Sequence, residues 1–185
     1  MDDVIIRQET PTQIEAIERV NISAFGGNAE AKLIAQMRQS SAFIPELSLI
    51  AQVNGRVVGH ILLSSIALIG HGGTAKGLAL APMAVMPSQS HRGIGSLLVR
   101  AGLTKAASLG YEAVVVIGHP DFYARQGFRN ASLWGLRCQL PVPEEVVMAI
   151  ELRKGALQKD MTVEYSAPFK ELFATSTTDV GAALA

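Results

Sequence analysis

Apolar and polar positions along the chain change period several times, and each change marks an element. Val4 to Gln8 alternates and predicts a short strand. In "TPTQIEAIERVNISAF" Ile14, Ile17 and Val20 fall on one helical face. Thr10 supplies an N-cap there, Pro11 stands at the first helical position and Gln13 can close a capping box. A second helix is predicted from about Ala29 to Ser40, with Leu33, Ile34 and Met37 inward. "LSLIAQVNGRVVGHILLSSIALI" reads as two strands joined by a type I′ turn at Asn54-Gly55.

"HGGTAKG" then reads as a loop and "LALAPMAVM" as the next strand. A helix is predicted from Ile94 to Leu109, ended by Gly110. "AVVVIG" is apolar throughout, as a strand covered on both faces should be. "HPDFYARQGF" predicts a short helix from Pro120, stopped at Gly127. "VVMAIEL" and "MTVEYSA" supply late strands, and the tail from Ser176 is expected to fray. The middle of the chain thus alternates strand and helix around one sheet, with the Ile94–Leu109 helix as a crossover between parallel neighbours.

Composition narrows the class. At 185 residues, with 49% hydrophobic and 17% charged residues, the chain suits one well-packed unit rather than a disordered one. Sixteen basic residues balance 16 acidic ones, so no whole-surface attraction to nucleic acid or to an anionic membrane is expected. The start carries early acids and no long apolar core, which does not suit a signal peptide. The longest apolar stretch, "VVGHILLSSIALI", is too short to span a bilayer. With a single cysteine, Cys138, no internal disulfide forms, and a cytoplasmic setting is expected.

The chemistry concentrates in "SHRGIGSLLVRAG", where Gly93 and Gly95 precede an apolar helix. A helix N-terminus offers unpaired N–H groups and a positive dipole end, and glycine lets an anion approach closely. The plainer alternative is a tight strand-to-helix turn that needs glycine for its backbone angles. No lysine follows Gly95, which excludes a P-loop. Leu98 stands where a dinucleotide fingerprint needs its third glycine.

"LAPMAVMPSQSHRGIGSLLVRAGLTKAASLGY", followed by "FYARQGF", resembles the GCN5-related N-acetyltransferase (GNAT) superfamily, in its bacterial YhbS-like branch. The family loop pattern, Gln or Arg, two residues, Gly, one residue, Gly or Ala, falls on Ser90, Gly93 and Gly95, with Ser90 departing from it. Its second block, Tyr-x-x-x-Gly-Phe, falls on Tyr123, Gly127 and Phe128. The likeness runs from about Val4 to Leu152, and in this branch on to Val163.

The resemblance implies an α+β fold: a mixed, mostly antiparallel sheet with splayed parallel strands, flanked by helices. It implies an acetyltransferase domain over residues 1–155, with residues 156–185 as a C-terminal extension on or trailing it. Acetyl-coenzyme A would bind where "LAPMAVM" and "AVVVIG" splay apart, and Pro82, which cannot donate to a ladder, independently marks a break there. Met83, Ala84 and Val85 would lend backbone groups to the pantetheine arm. His91, Arg92, Gly93, Ile94, Gly95 and Ser96 would hold the pyrophosphate. A backbone N–H would stabilise the charge developing on the thioester oxygen. Leu80, Met83 and Ile117 would line an apolar slot with room for longer acyl groups. Tyr123 matches the family tyrosine that protonates the departing thiolate, its plain role being a buried ring.

The strand "LALAPMAV" has no carboxylate to act as general base, so His119, Glu46 and water stand as alternatives. His60 and His71 read as structural or solvated. The implied acceptor is a small-molecule or peptide amine, no metal is called for, and a homodimer is compatible with the likeness. Two rival readings remain at this point: a non-catalytic acyl-coenzyme A sensor, and a nucleotide-binding protein of another family.

Overall fold

A computed structural model describes residues 3–175, and the tail from Ser176 lies outside the described residues. Strand β1 (Val4–Gln8) runs antiparallel to β2 (Ser48–Val53), which in turn pairs with β3 (Arg56–Gly70). Asn54 and Gly55 join β2 to β3 with φ of 50° and 75°, the left-handed angles that a type I′ turn requires. Between β1 and β2 lie α1 (Ile14–Phe25) and α2 (Ala29–Arg38). Gln13 closes the expected entry to α1: its Oε1 accepts from the Thr10 N–H at 2.9 Å. Pro11–Gln13 forms a 3₁₀ turn that feeds the helix.

Strand β4 (Gly73–Val85) pairs with β3 down to Gly70 opposite Gly73. The segment expected as a loop, His71 to Gly77, is therefore mostly ladder, and only His71 and Gly72 turn the chain. The glycines misled because Gly77 serves packing and not turning. A Cβ on it would lie 2.9 Å from the Leu68 side chain.

Helix α3 (Ile94–Ser108) connects β4 to the parallel strand β5 (Ala113–Ile117). Helix α4 (Pro120–Arg125) follows, and then the short strands β6 (Arg129–Asn130) and β7 (Arg137–Cys138). Strand β8 (Val147–Glu151) runs antiparallel to β5. Strand β9 (Thr162–Glu164) pairs with Ala67–Ile69 of β3, on the stretch that β2 leaves uncovered. The chain then forms α5 (Ala167–Thr175), which the sequence reading missed.

The main path of the sheet is β1-β2-β3-β4-β5-β8-β6. Most neighbours are antiparallel, and β4 with β5 is the parallel exception on that path. This is the mixed sheet that the sequence led us to expect. Period-2 alternation divides the core into two layers. Ala113, Val115 and Ile117 of β5 join Ile17, Leu33, Ile34, Met37, Phe169 and Phe173, so α1, α2 and α5 cover one face. Val114 and Val116 join Leu98, Val99, Tyr123 and Phe128, so α3 and α4 cover the other. Residues of the 156–175 segment, among them Leu157, Met161, Val163 and Phe169, are buried in the first layer.

Candidate active site

Pairing between β4 and β5 runs from Gly77–Ala113 to Leu80–Val116 and stops. Beyond it β4 continues to Val85 along β3, while β5 ends at Ile117 along β8. The edge of β4 from Ala81 to Val85 therefore faces a gap with no strand on that side. The register against β3 shifts at the same place: Leu63 stands opposite Leu80, but Ile61 opposite Met83. Two residues of β4, Ala81 and Pro82, thus oppose Leu62 alone, a bulge that turns the strand away from β5. Pro82 marks the break, as its missing N–H suggested.

The glycine loop stands beside this open edge. Gly93 is the N-cap of α3 with φ of 77°, and no atom lies within 4 Å of where its Cβ would be. His91, at φ 61°, takes the same left-handed region. The first N–H groups of α3, on Ile94, Gly95 and Ser96, have no carbonyl to bond within the helix. Gly95 rests against Met83 and Phe122, both 3.4 Å from its Cβ position, so the helix start abuts the free stretch of β4. Arg92 Nη1 donates to Gln89 Oε1 at 2.5 Å, and Ser96 Oγ accepts from Gln126 Nε2 at 2.9 Å. The Ser96 hydroxyl thus braces α3 against the end of α4. Ser90 is exposed at the end of a 3₁₀ turn, its N–H donating to the Pro87 carbonyl at 3.2 Å.

Tyr123 lies in the α3 and α4 layer with 0% exposure. Its ring packs edge-on against Phe122 and Phe128, with centroids 5.0 and 5.3 Å away. Its hydroxyl is buried and has no hydrogen-bond partner among the described residues. Burial holds the phenol well above its usual pKa, so it stays protonated. Buried polar groups are nearly always hydrogen-bonded, so this hydroxyl is an exception.

On the opposite face the gap borders a narrow apolar slot with a cavity volume of about 20 Å³. Ala79, Leu80, Ala81 and Pro82 of β4 and Val115 and Ile117 of β5 form its floor. Helices α1, α2 and α5 wall it with residues including Phe25, Leu33, Phe169 and Phe173. One carboxylate, Glu30, enters this lining. Glu30 is only 5% exposed, and desolvation raises its pKa against the hydrogen bond it receives from its own backbone N–H. Sequence reading missed it. The signal was present: Glu30, Leu33, Ile34 and Met37 stand at i, i+3, i+4 and i+7, placing an acid on the apolar face of α2.

The other proposed bases stand elsewhere. His119 caps the start of α4 and is exposed, its carbonyl accepting from the Phe122 and Tyr123 N–H groups at 3.1 Å. Glu46 sits on an exposed 3₁₀ turn. Neither lines the slot. Of the residues expected along the β4 edge, Met83 and Val85 are half-buried and Ala84 is buried. Leu80 and Ile117 do meet in the slot, while Met83 packs instead beneath the start of α3.

A second polar cluster is largely internal. Arg38 Nε and Nη2 bond Glu9 at 3.0 and 2.9 Å, Ser48 Oγ donates to Glu9 Oε2 at 2.6 Å, and His60 Nε2 lies 2.9 Å from Ser48 Oγ. The single hydroxyl proton of Ser48 goes to Glu9, so His60 Nε2 is the donor to Ser48 and its Nδ1 accepts from Asn21, 3.4 Å away. The Ser48 hydroxyl proton is thus held by Glu9 and not by His60, and Ser48 and His60 are both 0% exposed. This cluster ties β1, β2, β3, α1 and α2 together and is structural, as expected for His60. Burial raises the Glu9 carboxyl, but the nearby His60 Nε2, 3.5 Å away, and the bonds from Arg38 and Ser48 outweigh it and hold it at about 2.

Comparison with known proteins places this geometry in context. The sequence profile described as the Acetyltransferase (GNAT) family matches residues 14–128. The uncharacterized N-acetyltransferase YjhQ of Escherichia coli is 36% identical over 130 residues, 70% of this chain and 72% of YjhQ. The uncharacterized N-acetyltransferase YhbS of the same organism is 32% identical over 83% of this chain and 90% of YhbS. The crystal structure of Escherichia coli YhbS in complex with coenzyme A superposes with a TM-score of 0.83 at 30% identity, covering 92% of this chain and 93% of that one. A GNAT family acetyltransferase from Brucella melitensis in complex with acetyl-coenzyme A gives 0.73 at 26% identity, over 91% and 99%.

Proposed function

The chain belongs to the acetyltransferase (GNAT) family, and from that premise we propose that it moves an acetyl group from acetyl-coenzyme A to a primary amine. The observation that carries the reading is the end of β4–β5 pairing at Leu80–Val116, directly beside the glycine N-terminus of α3. The free edge of β4 at Met83, Ala84 and Val85 offers backbone groups to a pantetheine arm. The N–H groups of Ile94, Gly95 and Ser96, with His91, Arg92 and the open approach at Gly93, suit a pyrophosphate.

Acetyl-coenzyme A supplies the activated acyl carbon. The chain's own residues orient it, exclude water and handle protons. The amine nitrogen attacks the acyl carbon, a C–N bond forms and the C–S bond breaks. Tyr123, kept protonated by burial, gives its proton to the departing sulfur, which is the partner its hydroxyl lacks. The proton that the amine nitrogen sheds as the C–N bond forms passes to water, and water returns one proton to Tyr123. A cytoplasmic setting is supported by the lone cysteine, Cys138, a free thiol whose Sγ lies 3.7 Å from Tyr165 Oη. No helix among the described residues is long and apolar enough to cross a membrane.

The test is calorimetric titration with acetyl-coenzyme A, coenzyme A and ATP, followed by an amine screen read out by thiol release. Binding of both coenzyme A forms without ATP, and thiol release that depends on an amine, is the expected result. Binding without turnover on any amine would make the protein an acyl-coenzyme A sensor. No binding by folded protein would overturn the reading.

A further inference from the structure

Two side chains tie α4 to the start of α3, and they flank Tyr123. Phe122, the residue before it, stands 3.4 Å from the position that a Gly95 Cβ would take. Gln126, after it, donates its Nε2 to Ser96 Oγ at 2.9 Å. The backbone of Gln126 is held to the tyrosine as well. Its N–H donates to the Tyr123 carbonyl at 2.9 Å, and the Phe128 N–H donates to the same carbonyl at 3.1 Å. Helix α4 has 6 residues, too few to hold a helix by itself, so what it touches decides its placement. Phe122 supplies packing, which tolerates a slide. The Gln126–Ser96 bond supplies direction, because an N–H···O bond weakens steeply when it is bent.

Ser96 stands in the first turn of α3 behind Gly93, where the N–H groups have no carbonyl within the helix. Its oxygen accepts from Gln126, so its own proton remains to be given. No described residue takes that proton, and the side chain is half-buried and not sealed. A phosphate oxygen held at this helix start is a suitable acceptor. A hydroxyl that donates to an anion becomes a stronger acceptor itself, so filling the phosphate site tightens the bond from Gln126.

We propose that Gln126 is a positioning residue for the transfer: through Ser96 it fixes the tyrosine of α4 relative to the bound pyrophosphate, so that seating the coenzyme also sets the acid. The proposal rests on the acetyl-transfer reading. In this role Gln126 touches neither the sulfur nor the acyl carbon and acts through Tyr123. The Tyr123 hydroxyl has no partner among the described residues to fix it, so the placement of α4 decides where it points.

The test uses Gln126→Met, which keeps the length of the side chain and removes its amide, in the full chain and again in a Tyr123→Phe background. Single-turnover thiol release from acetyl-coenzyme A with a reactive amine is measured, beside calorimetric titration with coenzyme A. Gln126→Met is expected to slow release roughly 10-fold, the scale of a reacting group displaced by less than about 1 Å. Its coenzyme A affinity falls by less than about threefold, the reciprocal share of the coupling. In the Tyr123→Phe background the same change alters the rate by less than about twofold, because no acid is left to misplace. Equal slowing in both backgrounds would make Gln126 structural and overturn the proposal, as would an unchanged rate in the Tyr123 protein. Hydrogen exchange of the Gly127 and Phe128 amides, with and without coenzyme A, reads the coupling without turnover. Coenzyme A is expected to slow both amides in the wild type and to do so less in Gln126→Met. The wild-type comparison decides the coupling even if the variant fails to fold, and no slowing there would overturn it. Failure of the wild type to bind coenzyme A would overturn the acetyl-transfer reading and the proposal with it. Binding and turnover with no difference between the two backgrounds would overturn the proposal alone.

Discussion

Replacing Tyr123 by phenylalanine should move stability and activity in opposite directions. The substitution deletes one oxygen and leaves the ring between Phe122 and Phe128, whose centroids lie 5.0 and 5.3 Å away. That oxygen is buried without a partner, and an unmade hydrogen bond of this kind costs about 1–3 kcal/mol. Tyr123→Phe should therefore stabilise the ligand-free protein by about 1 kcal/mol or more. For a chain of this size that corresponds to a rise in Tm of roughly 2–4 °C per kcal/mol. Turnover should fall by about 100-fold, the lower end of what a general acid contributes, because a thiolate is a tolerable leaving group even without a proton. Coenzyme A affinity should change little, since in the proposed mechanism the hydroxyl meets the sulfur only as the C–S bond breaks. Scanning calorimetry of both proteins gives the first number, and single-turnover thiol release with a reactive amine gives the second. A variant that melts lower than the wild type would mean that the hydroxyl already has a partner. A single-turnover rate unchanged by the substitution would mean that sulfur leaves without help from Tyr123.

Other outcomes follow from the same structure. Gly93→Ala forces a Cβ into a left-handed backbone at φ 77°, and should cost about 1–2 kcal/mol in urea unfolding and weaken coenzyme A binding in titration. Glu9, held at about 2 against an ordinary 4.5, contributes stability that is present above pH 4.5 and lost as pH falls toward 2, on the order of 3 kcal/mol. His60, lowered by burial, adds a loss in the same direction as pH falls below 6.5, since only the unfolded chain readily takes the proton. Urea unfolding across that pH range should show both, and Glu9→Gln should flatten the acid limb while lowering stability at neutral pH. His119→Ala should leave the pH profile of turnover unchanged, because its side chain is exposed at the start of α4 and away from the slot.

Periodicity made the helices α1 to α4 and the strands β1, β2, β5 and β8 legible, because each buries a face or a run that local pattern records. The Gly93–Gly95 loop was legible because helix N-termini and glycine angles are local matters. What the sequence hid was nonlocal. The segment from His71 to Gly77 looked like a loop because glycine signals a turn, yet Gly77 answers to Leu68 across the ladder. Helix α5 was missed although Phe169, Leu172 and Phe173 recur at helical spacing, because it is short and follows a strand-like run. Glu30 was passed over because an acid in a first helical turn usually serves the helix dipole. Only the arrival of α5 and the parting of β4 from β5 make its surroundings apolar. The Glu9, Ser48 and His60 chain likewise depends on three strands meeting.

The slot also joins two stretches of chain, one inside the family profile and one beyond it. Strands β4 and β5 and the start of α3 lie within residues 14–128, where the family profile matches. Tyr165, Phe169, Leu172 and Phe173, which close the slot, lie beyond it. The slot is thus closed by residues from outside the stretch that the family profile covers. Exchanging α5 for another sequence would reshape the slot without touching the open edge of β4 or the start of α3.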